Sequence, residues 1–292
     1  MIFIEILGTP LGIFLVALLG LLVGSFLNVV IYRIPVMIER EDKLLAWEIV
    51  HGEGERHPEV AEGRFNLLTP PSRCPNCGHQ IRAWENIPVV SYLLQGRKCK
   101  ACRRPISSRY AIVELLSAFA SAVIAWRIQA PLPLLFALLF TWALIALIFI
   151  DAETSLLPDR ITLPLMWLGI FAAWLGTGHN QGLFISLSDS VLGAMLGYLS
   201  LWSVYWLFKL LTGREGMGYG DFKLLAALLA WQGVIMLPII LMVSSICGIV
   251  FFMINKIGFG KPAPFGPYLA VAGWLTFLFG GQIAAFLSFL PN

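Results

Sequence analysis

Apolar stretches close to the roughly 20 residues that a helix needs to cross a bilayer recur along this chain. With 58% hydrophobic residues, 13% charged residues and a mean hydropathy of +0.81, its 292 residues carry more apolar surface than a water-soluble domain can bury. The expected fold class is an all-α polytopic membrane protein of about eight transmembrane helices. They fall at about 9–32, 111–126, 131–150, 161–176, 184–211, 222–236, 238–254 and 267–288. The sixth and seventh are the least sharply separated, by Pro238, and the fifth is long enough to tilt or to extend beyond the bilayer. The first stretch lacks the basic flank and small-residue cleavage site of a secretory signal, so it reads as a retained helix.

Charge is concentrated in one segment. Residues 33–109 hold 13 of the 20 Lys and Arg residues, nine of the 17 acids and three of the four histidines. This polar insert divides the chain into a first helix (1–32), an extramembrane domain (33–110) and a helical remainder (111–292). Basic residues favour the cytoplasmic side. With the insert there, eight crossings also place Arg160, Lys209, Arg214, Lys223, Lys256 and Lys261 inside and leave only Arg127 outside. Both termini are then expected to be extracytoplasmic. Residues 39–62 mix charge signs without a sustained apolar face. They read as a mobile loop, with a short amphipathic helix at 44–50 as the alternative.

The insert contains CPNCGH and CKAC, which place Cys74, Cys77, Cys99 and Cys102 as two CxxC pairs. Each pair presents two thiolates from one tight turn, and two such knuckles complete a tetrahedral S4 site for structural Zn²⁺ in a small zinc-ribbon-like domain. Disulfides are the competing reading, and a reducing cytosol argues against them. His79 reads as a loop residue because four thiolates fill the site, and Cys247 reads as helix core. A closed S4 site has no open coordination position, so the metal is not expected to be catalytic.

Chemistry is expected from the acids at the ends of the apolar stretches. GMGYGDFKLL sets Asp221 between a glycine-rich turn and an apolar run, where helix capping is the bland alternative. The run ALIALIFIDAETSLLPDRITLP carries Asp151, Glu153 and Asp159 to the same membrane level. Asp159 follows a proline and precedes a helix, the pattern of an N-cap, and Glu153 reads as a loop residue. Asp151 has no such structural excuse. Held together, Asp151 and Asp221 cannot both ionise comfortably. The ionised member can activate water, while the protonated one polarises a carbonyl and protonates a leaving amine. No Ser or Cys nucleophile with a His base competes, since His179 falls on the opposite face. Glu114 is expected to pair with a base such as Arg109 or to line a cavity. Asn28 is expected to hydrogen-bond a neighbouring helix, Arg33 to snorkel to headgroups, and Trp84, Glu85 and Asn86 to shape or pack the surface beside the cysteines.

GMGYGDFKLLAA, FIDAETSLLPDRITLPLMWLG, CPNCGH…IRAWENIPVVSYL…CKAC and VGSFLNVVIYRIP together resemble the bacterial type IV prepilin peptidases. The likeness runs from about residue 20 to PFGPYLAVAGW near 274. It implies a GxGD membrane aspartic protease with Asp151 and Asp221 as the catalytic pair. The implied substrates are prepilins and type II secretion pseudopilins, cut after a glycine behind a short basic leader. It further implies N-methylation of the new terminus with S-adenosylmethionine, although no glycine-rich nucleotide loop in a strand–helix setting is present. Lipid is the expected surrounding, nucleic acid is not an expected partner, and the sequence sets no oligomeric state. Three other readings remain: an ion-coupled transporter, a metal-stabilised scaffold without chemistry, and a methyltransferase without protease activity.

Overall fold

The computed structural model describes residues 7–52, 63–176, 183–255 and 264–288. Its helices are α1 (Pro10–His51), α2 (Val90–Leu94), α3 (Ser108–Arg127), α4 (Pro131–Thr154), α5 (Asp159–Leu175), α6 (Leu187–Thr212), α7 (Tyr219–Gln232), α8 (Leu237–Asn255) and α9 (Gly266–Ser288). No strand occurs among the described residues. Every expected apolar helix has a counterpart. Five helical segments are long and apolar enough to cross a membrane: Pro10–His51, Ser108–Arg127, Pro131–Thr154, Leu187–Thr212 and Val234–Ile254. This is a multi-pass membrane protein.

The chain forms two compact units, Phe14–Ala122 and Met1–Ile13 with Val123–Asn292. In the second, α7 is the centre. Phe222, Leu224, Leu225, Ala227, Leu228 and Leu229 are fully buried, and α7 packs against α6, α5 and α9. At 14 residues α7 is about 21 Å long, short of a ~30 Å hydrocarbon layer. Its apolar character on all sides suits a helix enclosed by other helices. Gly233, at φ 80°, ends α7 before a short 3₁₀ turn leads into α8, so the break comes before Pro238. Trp231 fills the space that Gly169 leaves open on α5 and donates its indole N–H to the Leu165 carbonyl.

The other unit corrects two expectations. Helix α1 does not stop near residue 32 but continues to His51, so 39–51 is helix rather than loop. Residues 53–62 lie outside the described residues, as do His179, Lys256 and Lys261. Arg33 does not snorkel: it is buried and donates to the carbonyls of Asn66 and Pro70. Asn28 does bridge helices, donating to the Tyr110 carbonyl at 3.0 Å. Gly24 of α1 lies against Glu114 and Ser117 of α3, a close helix approach that small residues permit.

Candidate active site

Helix α4 runs through Thr154, four residues beyond the expected end, so Asp151 and Glu153 lie in its last turns. Ser155, in the left-handed region at φ 53°, closes the helix by donating its N–H to the Asp151 carbonyl. This fixes the Asp151 backbone and turns its side chain inward, with 4% of the residue exposed. Glu153 stays on the exposed face. Asp221 is the third residue of α7 and is 8% exposed. Its carboxyl reaches back to the N–H of Gly218, the N-cap residue, so the capping reading holds in part.

The alternating direction of the helices brings the end of α4 and the beginnings of α7 and α9 to one end of this unit. There Asp151 and Asp221 approach closely enough for the charge of one to act on the other. Gly266, the first residue of α9, presents its backbone N–H to Asp151. The other Asp151 oxygen, Oδ2, is buried without a hydrogen-bond partner. Leu157 closes one side: a Cβ on Gly220 would lie 2.7 Å from the Leu157 Cβ, and one on Gly266 would lie 3.0 Å from its Cδ1. The result is two desolvated carboxyls within mutual range, walled by backbone and an aliphatic side chain. Such a pair shares protons and can both take a proton from water and give one to a leaving group.

Asp159 stands apart. It is the first residue of α5, Pro158 holds the N-cap position, and no side-chain cap bond forms, so the N-cap expectation is corrected. The carboxylate instead receives both its bonds, at 2.7 Å, from Lys223. Glu114 also departs from expectation. It accepts the Val89 N–H at 2.8 Å rather than pairing with a base. Val89 sits at φ 61° and ψ −46°, spanned by a bond from Val90 N–H to the Pro88 carbonyl. This is a three-residue turn of the strained positive-φ kind, and the Glu114 carboxylate holds it in place.

The four cysteines converge as expected, with all four sulfurs within 4.8 Å of one another. Cys74 and Cys102 are 3.9 Å apart and Cys77 and Cys99 are 4.0 Å apart. A tetrahedral site with ~2.3 Å metal–sulfur bonds needs sulfur separations of about 3.8 Å, so the donors fit. The two knuckles repeat one geometry. Cys74 N–H bonds the His79 carbonyl and Cys99 N–H the Arg104 carbonyl, while Gly78 and Arg103 take equivalent positive-φ positions. The Arg104 N–H holds the Cys102 thiol down to about 6, and the N–H groups of Asn76 and Cys77 lower Cys74. Backbone donors aimed at Cys74 and Cys102 favour at these two sulfurs the thiolate that a metal requires. His79 is no ligand: its Nε2 meets Glu85 at 3.1 Å. Glu85, held below the usual carboxylate range by the Arg82 N–H and then by His79, packs the module from within. Cys247 is half-buried in α8.

Two family models match the chain: the bacterial peptidase A24 N-terminal domain over residues 18–128 and the type IV leader peptidase family over residues 138–253. Over 291 residues, 100% of both chains, it is 60% identical to the prepilin leader peptidase/N-methyltransferase of Dichelobacter nodosus. The chain belongs to the type IV leader peptidase family. Family members of the same description from Pseudomonas aeruginosa and Neisseria gonorrhoeae are 52% and 46% identical, over 91% and 92% of this chain and 90% and 91% of theirs. No solved structure matches.

Sequence reasoning on this family member missed Gly266, Leu157 and the surroundings of the glycine loop. A glycine between two prolines ahead of an apolar run was the available signal.

Proposed function

We propose that this protein is a prepilin leader peptidase and N-methyltransferase of the bacterial inner membrane, and that Asp151 and Asp221 hydrolyse the leader bond. The observation that carries the catalytic assignment is the meeting of two buried carboxyls, from helices 70 residues apart in sequence, at one end of an apolar bundle. The substrates are prepilins and pseudopilins, whose apolar helix lies in lipid with the short basic leader in the cytoplasm. The insert and the site then face the cytoplasm, and both termini face outward.

In the cleavage step one carboxylate takes a proton from water, and the oxygen adds to the carbonyl carbon of the leader's last glycine. The protonated partner gives its proton to the carbonyl oxygen, forming a neutral gem-diol, and takes it back as that intermediate collapses. Collapse breaks the C–N bond as the new amine takes a proton from the pair. Gly266 N–H and Gly218 N–H orient the two carboxyls. Because the short helix α7 is enclosed by its neighbours, extended substrate backbone beside Asp221 is shielded from lipid.

The second activity alkylates the amine just released. When bound, S-adenosylmethionine would supply an electrophilic methyl group, and the amine must be deprotonated to accept it. Cys74, Cys77, Cys99 and Cys102 would hold zinc, whose role is to fold residues 63–107. Residues 33–110 then carry the metal module and residues 111–292 the peptidase site.

The test is cleavage of a prepilin in detergent or liposomes by wild type, Asp151→Asn, Asp159→Asn and Asp221→Asn, with mass spectrometry of the new N-terminus. Loss at 151 and 221 alone is expected, with one added methyl group on the wild-type product. Cleavage by Asp221→Asn would refute the pair, and loss at 159 in place of 151 would mean the partner is misassigned.

A further inference from the structure

The loop that delivers Asp221 is tied to the last turns of α6 by a polar cluster. Lys209 Nζ donates to Glu215 Oε1 at 2.9 Å and to the Tyr205 hydroxyl at 3.2 Å. Tyr205 is 2% exposed, and its hydroxyl also engages Tyr219 and Glu215. Its ring lies 5.2 Å from that of Tyr219 and 5.7 Å from that of Phe222, centroid to centroid. These two rings flank Asp221 in sequence. The loop is thus held in its middle through Glu215 and at its far end through Tyr219, both by one turn of one helix. Between the anchors Gly216 lies against the Phe208 ring, where a Cβ would come within 2.8 Å of it. Gly213, left-handed at φ 70°, bonds back to the Lys209 carbonyl and starts the loop.

Position matters here because Asp221 has few other restraints on its carboxyl. It bonds the N–H of Gly218, which belongs to the same loop. A shift of the loop therefore moves the acid and this backbone partner together, away from Asp151. Lys209 holds Glu215 below the usual carboxylate range, so the pair stays charged at neutral pH. Neither group reaches the reacting atoms.

We infer that Lys209, Tyr205 and Glu215 are positioning residues for leader cleavage: a latch that sets the glycine loop so that Asp221 meets Asp151. This rests on the assignment of Asp221 to the cleavage pair. The latch acts on geometry rather than on substrate affinity, so it governs kcat more than KM. It belongs to the Val123–Asn292 unit and is independent of the cysteine module.

The test uses the full chain in liposomes and two separate assays, cleavage of prepilin and methylation of pilin that has already been cleaved. Lys209→Met and Glu215→Gln are expected to lower cleavage kcat about 10- to 100-fold, the range for sub-ångström to ångström misplacement. KM is expected to stay within about twofold, with methylation and membrane level unchanged. Lys209→Arg should keep most activity, and the exchange Lys209→Glu with Glu215→Lys should cleave faster than Lys209→Glu alone. Unchanged kcat in Lys209→Met would overturn the latch, as would parallel loss of cleavage, methylation and membrane level. Asp221→Asn is run beside them: cleavage retained there would instead fail the pair on which the latch depends.

Discussion

Replacing Gly266 with alanine puts a methyl group where Asp151 already is. The new Cβ would lie 2.5 Å from Asp151 Oδ2, 3.1 Å from its Cγ and 3.0 Å from Leu157 Cδ1. Ordinary contact requires about 3.4 Å or more, so the carboxyl or the start of α9 must give by about 1 Å. Neither has slack. The Asp151 backbone is closed into α4 by Ser155, and Leu157 is already pressed against Gly220. A misplacement of about 1 Å costs on the order of 100-fold in rate, which is about 2.7 kcal/mol of transition-state stabilisation. Initial rates of prepilin cleavage by Gly266→Ala should fall by that factor, with methylation of pre-cleaved pilin retained. Gly218→Ala is the control. A Cβ there is 3.9 Å from Asp221 Oδ2, and the backbone at φ −78° and ψ 146° suits any residue. Its rate should stay within about threefold of wild type, a change of no more than about 0.6 kcal/mol. Full activity in Gly266→Ala would refute the steric argument. Equal loss in Gly218→Ala would mean that the substrate itself occupies the space beside that glycine.

Other outcomes follow from the same coordinates. Asp159→Asn breaks the ion pair with Lys223, but the Asp159 side chain is 52% exposed, so the stability loss should be about 0–1 kcal/mol with cleavage rates unchanged; a large loss of cleavage would give Asp159 a role in the chemistry. Cys102→Ser removes one of four converging donors, and elemental analysis of the purified protein should show less metal than in wild type. Limited proteolysis should then cut within residues 63–107, and resistance there would show that the module folds without metal. Glu114→Leu leaves the Val89 N–H without its acceptor and the strained turn unheld, at a cost of about 1–3 kcal/mol read as a lower unfolding temperature. Unchanged stability would mean that the turn persists without the carboxylate.

Much of this protein was legible in the chain itself, and the reasons are local. A run such as LPLLFALLFTWALIALIFI has one solution in a bilayer, because only a helix satisfies its backbone there. Two CxxC turns carry their geometry within six residues each, so the S4 cluster was readable without a fold. Asp151 and Asp221 stood out because a carboxylate that continues an apolar run is costly unless it is used. The continuation of α1 past residue 32 was not legible. Its polar half lacks a sustained apolar face, and the helix simply propagates from the apolar half, adding one hydrogen bond per residue.

What only the tertiary structure decided depends on neighbours remote in sequence. Asp159 and Asp151 lie eight residues apart, and the sequence separated them only as a cap and an unexplained acid. One meets Lys223 in the open and the other meets Gly266 and Asp221 in the interior. Glu114 had no legible partner because the partner is a backbone N–H, which every residue but proline carries. Gly266 is a glycine for the sake of a carboxyl 115 residues earlier, and Tyr205 and Lys209 act on a loop that the sequence places beyond the helix end. The sequence by itself determined which segments enter the membrane and which acids are worth their cost there. Packing determined which of those acids face each other, because desolvation and close approach arise only once the helices are assembled.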